Sequence, residues 1–506
     1  MKNIYKAGLI GVCLFLASCA KDKGNYEYRP KEQITVTGIE NAYTKISEAD
    51  RIVLNPTVSS SDPNADFDYL WGIYETNVQG SAPVLDTLAK TKNLDYLVKK
   101  PAKGWVLVFR VTNKHSGYST YFTSNINVVT QFTRGWYVAK DDGTKADLDL
   151  FLTPTTISPE GKIENIYSTV NGRSLDGKAS LLTFFSTYKS TVTGTLGNTR
   201  TLFLTTDKDI SAVNINTLKE IRGFNTLFFQ APTTKAPQAV FLGSSANYIL
   251  NDGKCHSLYS MIANTGVFGI GKIKDDLNSP YYLSQYFLTS PYSDPVFFDQ
   301  TSSSFLIGNA TGSVMTAVSD ISTTTMTAKK NNKTLLYMGY KSGPLPVLGY
   351  AVFQDKTNPD LKILSQLNPS TTAFNIVNDT LSRSDKLFNA TRYMLLDGDE
   401  NLMYFVSGNE VYSRNLSNRF EQLQYVAPAG EEITFIRHRK YPEAGFNYNY
   451  IMIGTKSGSD YKVRMFNKTS GNLDPQPAFI LEGKGIVRDV IYISPSMSEN
   501  TYSNSY

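Results

Sequence analysis

The sequence predicts an all-β protein, in which a sandwich domain is followed along the chain by a β-propeller of about seven blades. Aromatic residues are abundant, with 32 Tyr and 27 Phe, whereas charged residues make up only 19% of the chain. Aromatic and β-branched side chains fit a pleated, half-buried surface. Short apolar runs separated by Gly, Asn, Ser and Thr recur along the whole length, which is typical of strands joined by turns.

The N-terminus is predicted to be an export signal. Lys2 and Lys6 are followed by an apolar stretch over 7–17, which is too short to span a hydrocarbon core of about 30 Å. The stretch ends in Leu16-Ala17-Ser18-Cys19, which resembles the lipobox of bacterial lipoproteins, where the Cys is acylated and becomes the first residue. We predict a signal peptide over 1–18, lipidation of Cys19 and a polar tether over 19–30. A secretory signal with a chance Cys is the alternative.

Lipidation would fix the location of the chain. Several acyl chains on one Cys anchor a protein stably, so the domains after Cys19 are expected to be tethered to a membrane. The remaining cysteine of the mature chain, Cys255, has no partner for an intramolecular disulfide. A formal charge of +5 is mild and spread out, and it gives no argument for a nucleic-acid partner.

Residues 31–132 are predicted to form an immunoglobulin-like sandwich. One face of a strand carries Phe67, Tyr69, Trp71 and Ile73, so Trp71 is the expected central tryptophan of the core. Residues 104–113 and 122–128 alternate in the same way, and the turn Asn113-Lys114-His115-Ser116-Gly117 joins them.

These residues carry a resemblance to a known family. The Tyr69-Leu70-Trp71 strand and the closing Phe109-Arg110-Val111-Thr112-Asn113 hairpin look like a PKD domain. Together with the lipobox, Lys23-Gly24-Asn25-Tyr26-Glu27-Tyr28 and Glu32-Gln33-Ile34-Thr35-Val36, they resemble the PKD-like family lipoproteins of Bacteroidetes. The acidic turn that usually follows the Trp of a PKD domain is replaced here by Gly72-Ile73-Tyr74-Glu75.

Residues 135–496 are predicted to form the propeller, and 497–506 a polar tail. Apolar runs recur in pairs, each pair joined by a turn such as Lys140-Asp141-Asp142-Gly143, Asn251-Asp252-Gly253-Lys254 or Ser407-Gly408-Asn409. Such turns between strands are the strongest local signal of a hairpin. At about 50 residues per blade, this stretch corresponds to about seven blades. A set of sandwiches or an irregular β domain is the alternative.

The polar side chains give weak indications of a site. The basic run Arg437-His438-Arg439 could hold an acidic ligand, and Trp136 could stack on a sugar ring or grip a peptide. A solvated strand end and a core Trp are the alternatives. Cys255 and His256 are adjacent, but neighbours on a strand point to opposite faces, so an inert buried thiol is expected.

No metal site or cofactor is predicted. The turn that contains Asp397, Asp399 and Glu400 offers oxygen ligands of the kind that Ca²⁺ prefers, but it lacks the EF-hand pattern, and a plain turn is the alternative. The three histidines have no metal-ligand spacing. Neither a nucleophile elbow nor a phosphate-binding glycine loop is present.

The resemblance implies a function. Lipoproteins of this family are typically encoded beside SusC-like and SusD-like outer-membrane uptake proteins. We therefore expect a non-catalytic lipoprotein, anchored in the outer membrane and facing the cell exterior, that binds a glycan or peptide for a SusC/SusD-type nutrient-uptake system. The alternatives are a scaffold lipoprotein of the envelope, or a propeller hydrolase or lyase, because fold alone does not fix function.

Overall fold

The computed structural model describes residues 31–47, 49–76, 82–192, 195–275, 277–290, 293–342, 348–369, 373–396, 398–441 and 447–497. The predicted signal peptide, the tether with Cys19, and Asp397 therefore lie outside the described residues. The chain divides into two compact units, Met1–Val129 and Thr130–Tyr506. Within the described residues no helix has the length and apolarity needed to cross a membrane.

The described residues of the first unit form a sandwich of nine strands. The strands are β1 (Ile34–Thr37), β2 (Ala42–Ile46), β3 (Arg51–Leu54), β4 (Thr57–Ser60), β5 (Phe67–Glu75), β6 (Asp86–Ala89), β7 (Leu94–Leu97), β8 (Lys103–Asn113) and β9 (Ser119–Val129). One sheet has the order β2-β9-β8-β5-β6, and the pairs β1-β4 and β3-β7 contribute to the same core. Trp71 in β5 is fully buried, stacks on Phe109 at 4.1 Å and donates its N–H to Lys92 O.

The described residues of the second unit form seven main sheets in chain order, which are antiparallel except for one parallel pair of strands in the fifth. The first sheet contains β10 (Gly135–Asp141), β11 (Lys145–Leu152), β12 (Gly161–Ile163) and β13 (Leu175–Asp176), and the second contains β14 (Ala179–Ser190), β15 (Gly197–Thr206), β16 (Ile210–Asn214) and β17 (Glu220–Gly223). The third sheet contains β18 (Pro237–Leu242), β19 (Ala246–Asn251) and β20 (Lys254–Tyr259). The fourth contains β21 (Leu283–Ser290), β22 (Ser293–Asp299), β23 (Ser304–Ile307) and β24 (Thr316–Ala317). Two short helices, α1 (Ile166–Asn171) and α2 (Phe224–Leu227), connect strands.

The remaining three sheets follow the same pattern. The fifth sheet contains β25 (Ser319–Asp320), β26 (Lys333–Ser342), β27 (Leu348–Asp355), β28 (Lys362–Pro369) and β29 (Ala373–Thr380), and the sixth contains β30 (Arg392–Leu395), β31 (Leu402–Ser407), β32 (Glu410–Asn415) and β33 (Glu421–Val426). The seventh sheet contains β34 (Glu432–Tyr441), β35 (Tyr448–Ser457), β36 (Asp460–Phe466) and β39 (Phe479–Lys484). A small separate pair, β37 (Lys468–Thr469) and β38 (Asn472–Leu473), lies in the connection from β36 to β39. Two 3₁₀ turns span Gln131–Thr133 and Lys386–Asn389.

The last strand, β40 (Ile486–Ile493), closes the unit into a ring. It pairs antiparallel with β10 and so becomes the innermost strand of the first sheet. The innermost strands β40, β14, β18, β21, β26, β30 and β34 each contact the next, and β34 contacts β40 again. Seven sheets arranged around a closed ring of inner strands form a seven-bladed propeller, so the predicted fold is confirmed, and each sheet is called a blade below.

Apolar side chains fill the spaces between successive blades. Phe203 of blade 2 shares a cluster with Val240 of blade 3. On the opposite face of the same strand, Phe241 stacks on Phe287 of blade 4 at 3.6 Å. Because both faces of each blade are buried near the centre, a strand such as β19 is buried along its whole length rather than on one face. Met497, which the sequence assigned to the polar tail, is buried in the cluster that joins blades 7, 1 and 2.

Candidate functional site

The basic run in β34 is divided between the two faces of its strand. Successive strand residues point to opposite faces, so Arg437 and Arg439 point to one side and His438 and Lys440 to the other. Arg437 Nε lies 3.1 Å and Arg439 Nη2 lies 3.2 Å from the carboxylate of Asp489 in β40. Arg437 and Arg439, which the sequence offered as ligand-binding residues, therefore form ion pairs with an internal carboxylate and connect blade 7 to blade 1.

Asp489 is fully buried at this seam and has a third partner. The backbone N–H of Leu182, in blade 2, donates to its Oδ2 at 2.9 Å. Burial acts to raise the pKa of Asp489, but the charges of Arg439 and Arg437 more than offset burial, and the pKa is lowered. The carboxylate thus stays ionised and joins three blades at the point where the ring closes.

The other side of the basic run lies against the turn that the sequence offered as a weak calcium candidate. Asp399 lies 3.3 Å from His438 Nε2, 3.5 Å from Lys440 Nζ and 3.0 Å from Lys468 Nζ. Lys468 also lies 2.7 Å from Glu400. These contacts hold the pKa of Asp399 well below its usual range. Both described carboxylates of the turn form ion pairs with Lys468, which agrees with the alternative of a plain structural turn.

No metal-binding cluster is present elsewhere in the part of the chain that the structure describes: no three His, Cys, Asp or Glu side chains come together.

Trp136 is a core residue and not a ligand platform. It is 0% exposed, and its N–H donates to Ile157 O at 3.0 Å. Its indole packs against Tyr448 at 4.8 Å and Tyr492 at 4.9 Å, which come from blade 7 and from β40. No face of the ring is open to a ligand, because the apolar contacts that close the propeller cover it.

A pocket opens instead at one end of blade 3. Pro237 begins β18 and pairs with Asn251 at the end of β19, so the connection into β18 and the β19–β20 turn lie at the same end of the blade. The pocket has a volume of about 340 Å³, within the range of about 300–1,000 Å³ of small-molecule sites. Its lining comes from three segments: Gln230, Ala231, Pro232, Thr233 and Thr234; Asn251, Asp252, Lys254 and His256; and Ile270 and Gly271.

The architecture of blade 3 explains why the pocket exists. Its sheet has three strands, and an irregular segment over 260–275 covers the edge of β20. Gly269 N–H donates to Ser257 O at 2.9 Å, and Lys272 N–H donates to Cys255 O at 2.7 Å. Between these two bonds, Ile270 and Gly271 line the pocket. On the other side, Asp252 and Gly253 both have positive φ, which gives the tight two-residue turn that the sequence predicted.

His256 forms part of the wall of the pocket and is only 4% exposed. Its Nδ1 lies 2.9 Å from Gly269 O, and its ring meets the edge of Phe228 at 4.8 Å. Burial lowers the pKa of His256, so the imidazole is neutral at neutral pH. Cys255 lies on the opposite face in an apolar cluster, and burial raises the pKa of its thiol to about 12. The expectation of an inert thiol, with no Cys–His pair, agrees with this geometry.

Two charged residues complete the lining. Lys254 Nζ donates to Tyr281 O at 2.8 Å and lies 3.8 Å from the centre of the Tyr281 ring. Burial lowers the pKa of Lys254, and the nearby charge of Asp252 opposes this effect. The pocket therefore combines one cation and one anion with neutral polar and apolar groups. Sequence reasoning missed it, because its three segments are brought together only by the propeller.

The fold defines this chain as a two-unit, all-β protein with a sandwich followed by a seven-bladed propeller. Residues 19–179 match the PKD-like family, a stretch that covers the sandwich and the strands β10 to β13 of the first blade. No curated protein matches the chain.

Several solved structures are similar at low identity. A quinonprotein alcohol dehydrogenase-like protein of Bacteroides thetaiotaomicron is 11% identical, with a TM-score of 0.39, and the match covers 89% of this chain and 96% of that one. PorZ, a surface component of the type-IX secretion system of Porphyromonas gingivalis, is 8% identical, with a TM-score of 0.30, over 68% of this chain and 52% of that one. The extracellular domain of a one component system of B. thetaiotaomicron is 11% identical, with a TM-score of 0.28, over 91% of this chain and 70% of that one. These likenesses carry no argument about activity.

Proposed function

We propose that this protein is a lipid-anchored, non-catalytic binding protein of the outer membrane, which captures a glycan or peptide at the cell surface for a SusC/SusD-type uptake system. The observation that carries the proposal is the blade 3 pocket, where buried and exposed polar groups from three segments converge beside apolar side chains. A concave site with few, fixed polar groups is the usual form of a small-ligand site.

The lining favours binding over cleavage. A glycosidase of the common type places two carboxyl groups about 5–10 Å apart across the scissile bond. The lining of the blade 3 pocket contains a single carboxylate, that of Asp252. Lys254 donates a hydrogen bond to Tyr281 O, and His256 donates one to Gly269 O, so both side chains have a fixed orientation in the pocket.

The lipobox supports the membrane part of the proposal. A triacylated Cys19 would retain the protein in the membrane, whereas Cys19→Ser would release it, since the rest of the described chain has no membrane-spanning helix. The resemblance to the PKD-like family lipoproteins of Bacteroidetes supports the outward orientation that we propose.

Protease shaving of intact cells tests the proposal directly. We expect intact cells to lose the immunoblot band of this chain, and a periplasmic marker to survive in the same cells. Lysed cells serve as the control that the protease cuts the chain. If the band survives in intact cells but not in lysate, the domains face the periplasm, and surface capture is wrong. An envelope scaffold or a periplasmic enzyme would then take its place.

A further inference from the structure

We propose that the blade 3 pocket holds one neutral sugar ring of a glycan and that His256 Nε2 accepts a hydrogen bond from a sugar hydroxyl. This inference rests on the proposed function of ligand capture and names the class of ligand that the pocket takes.

The first step is the tautomer of His256. A backbone carbonyl can only accept a hydrogen bond, so Nδ1, at 2.9 Å from Gly269 O, carries the proton. In a neutral imidazole the other nitrogen is then an acceptor. Nε2 has no hydrogen-bond partner among the described residues, although the side chain is almost fully buried. Nε2 is not among the buried side-chain atoms that lack a partner, so it is open to the pocket, and a ligand hydroxyl would supply its donor.

The second step is access to that nitrogen. A Cβ atom added at Gly271 would lie 3.5 Å from Cε1 and 3.7 Å from Nε2 of His256. The missing side chain at Gly271 therefore leaves the edge of the imidazole open on the side where the pocket lies. A larger residue at this position would cover Nε2 without removing it.

The third step is the chemistry of the other lining groups. Asp252 offers a second acceptor, and Lys254 Nζ offers donors beyond the one that Tyr281 O takes. Ala231, Pro232 and Ile270 provide an apolar side. A pyranose ring matches this arrangement, because it carries several adjacent hydroxyls that donate and accept around an apolar C–H face. One cation and one anion give the pocket no net charge, which favours a neutral sugar over an acidic one.

The size and shape of the site favour a sugar ring over a peptide. An extended peptide is usually held by adding to the edge of a sheet or by lying in a long groove. The edge of β20 is already covered at Cys255 and Ser257. A pocket of about 340 Å³ is compact, so it suits a single ring and leaves the rest of a polymer outside. Phe229, which directly precedes the lining residue Gln230, is 83% exposed and is available for a neighbouring ring.

The test is calorimetric titration of the full mature chain, made soluble by Cys19→Ser. The probes are neutral hexoses and their α- and β-linked oligosaccharides, with uronic-acid oligosaccharides and unstructured peptides as comparisons. We expect a neutral hexose series to bind. We expect His256→Leu and Gly271→Val each to weaken this binding at least about tenfold, the effect of losing one well-placed buried hydrogen bond.

His115→Leu, the same change at an exposed turn of the sandwich, is the matched control and should bind as the unmodified chain does. Unchanged thermal melting separates a loss of binding from a loss of folding, and Gly271→Val keeps the test valid if His256→Leu does not fold. Neutral-sugar binding that both variants retain would overturn the assignment to this pocket. Binding of peptides alone, or of uronic-acid chains alone, would overturn the ligand class and leave surface capture standing. If the purified chain binds no probe, and protease shaving shows that the chain faces the cell exterior, the sugar-ring inference alone is overturned.

Discussion

The carboxylate of Asp489 lies 3.2 Å from the guanidinium of Arg439, and this buried pair joins the last strand of the chain to blade 7. Arg437 and the N–H of Leu182 complete the contacts of Asp489, so blades 7, 1 and 2 meet at one carboxylate. Ring closure in this propeller thus depends on a fixed charge as well as on the strand pairing between β40 and β10.

Asp489→Ala should destabilise the propeller strongly. The substitution leaves two arginines close to each other and without their carboxylate, and breaking a buried ion pair from one side costs about 3–5 kcal/mol. Urea unfolding followed by far-ultraviolet circular dichroism measures the loss. Asp360→Ala is the matched control, because the Asp360–Arg383 pair is exposed and should contribute little. A urea midpoint for Asp489→Ala equal to that of the control would show that the ion pairs of Asp489 with Arg437 and Arg439 do not stabilise the propeller.

Acid should weaken the propeller through the same carboxylate. The folded-state pKa of Asp489 and that of Asp399 are both lowered, so each contributes stability that is present above the unfolded value of about 3.9 and is lost as the pH falls below it. We expect the urea midpoint to decline modestly as the pH falls through about 6.5, because burial lowers the pKa of His256 and the unfolded chain takes up this proton more readily. Below about pH 4 the midpoint should fall further, as the two carboxylates are protonated. Asp489→Asn should fall less steeply than the unmodified chain, and equal slopes would contradict the assignment.

Calcium should have no effect on stability. Asp399 and Glu400 are already neutralised by Lys468, with Lys440 and His438 also near Asp399. A cation would have to displace these partners before it could bind. Thermal melting in millimolar Ca²⁺ and in a chelator should give the same midpoint. A clear rise in the midpoint with Ca²⁺, abolished by Asp399→Asn, would restore the turn as a metal site.

The thiol of Cys255 should be unreactive in the folded protein. It is fully buried, and its pKa is raised to about 12, so the thiolate that reacts is scarce at neutral pH. With Cys19→Ser as the background, a thiol reagent should label the mature chain only after denaturation. Labelling at the same rate before and after denaturation would show that blade 3 opens readily or that its core is packed differently.

The regular part of the fold was predictable from local patterns. The apolar pairs that recur in the sequence correspond to the second and third strands of blades 1, 2, 3, 4, 6 and 7. Tight turns such as Asp252-Gly253 and Gly408-Asn409 mark these hairpins. Blade 5 was missed, because β27 and β28 are joined by a longer connection over 356–361 without a glycine. The apolar face that contains Trp71 was also read correctly, since period-two alternation fixes which side is buried.

The sites were less predictable, because they depend on contacts between distant segments. The run Arg437-His438-Arg439 reads as one basic patch, but strand alternation sends its members to different blades. Their acidic partners, Asp399 and Asp489, lie 39 or more residues away in the sequence. Trp136 could not be assigned to the core without knowing that β40 returns beside β10. His256 looked unremarkable, since its fixed tautomer depends on Gly269 in a segment without regular structure.

Capture of a fluorescent neutral oligosaccharide by intact cells tests the central claim most directly. The cells would carry either the unmodified chain or His256→Leu, with surface amounts equalised by an antibody against the sandwich. We expect cells with the unmodified chain to bind the oligosaccharide, and cells with His256→Leu to lose this signal at equal antibody staining. Equal capture by both kinds of cells, or no capture by cells that display the unmodified chain, would contradict a sugar-binding pocket on blade 3.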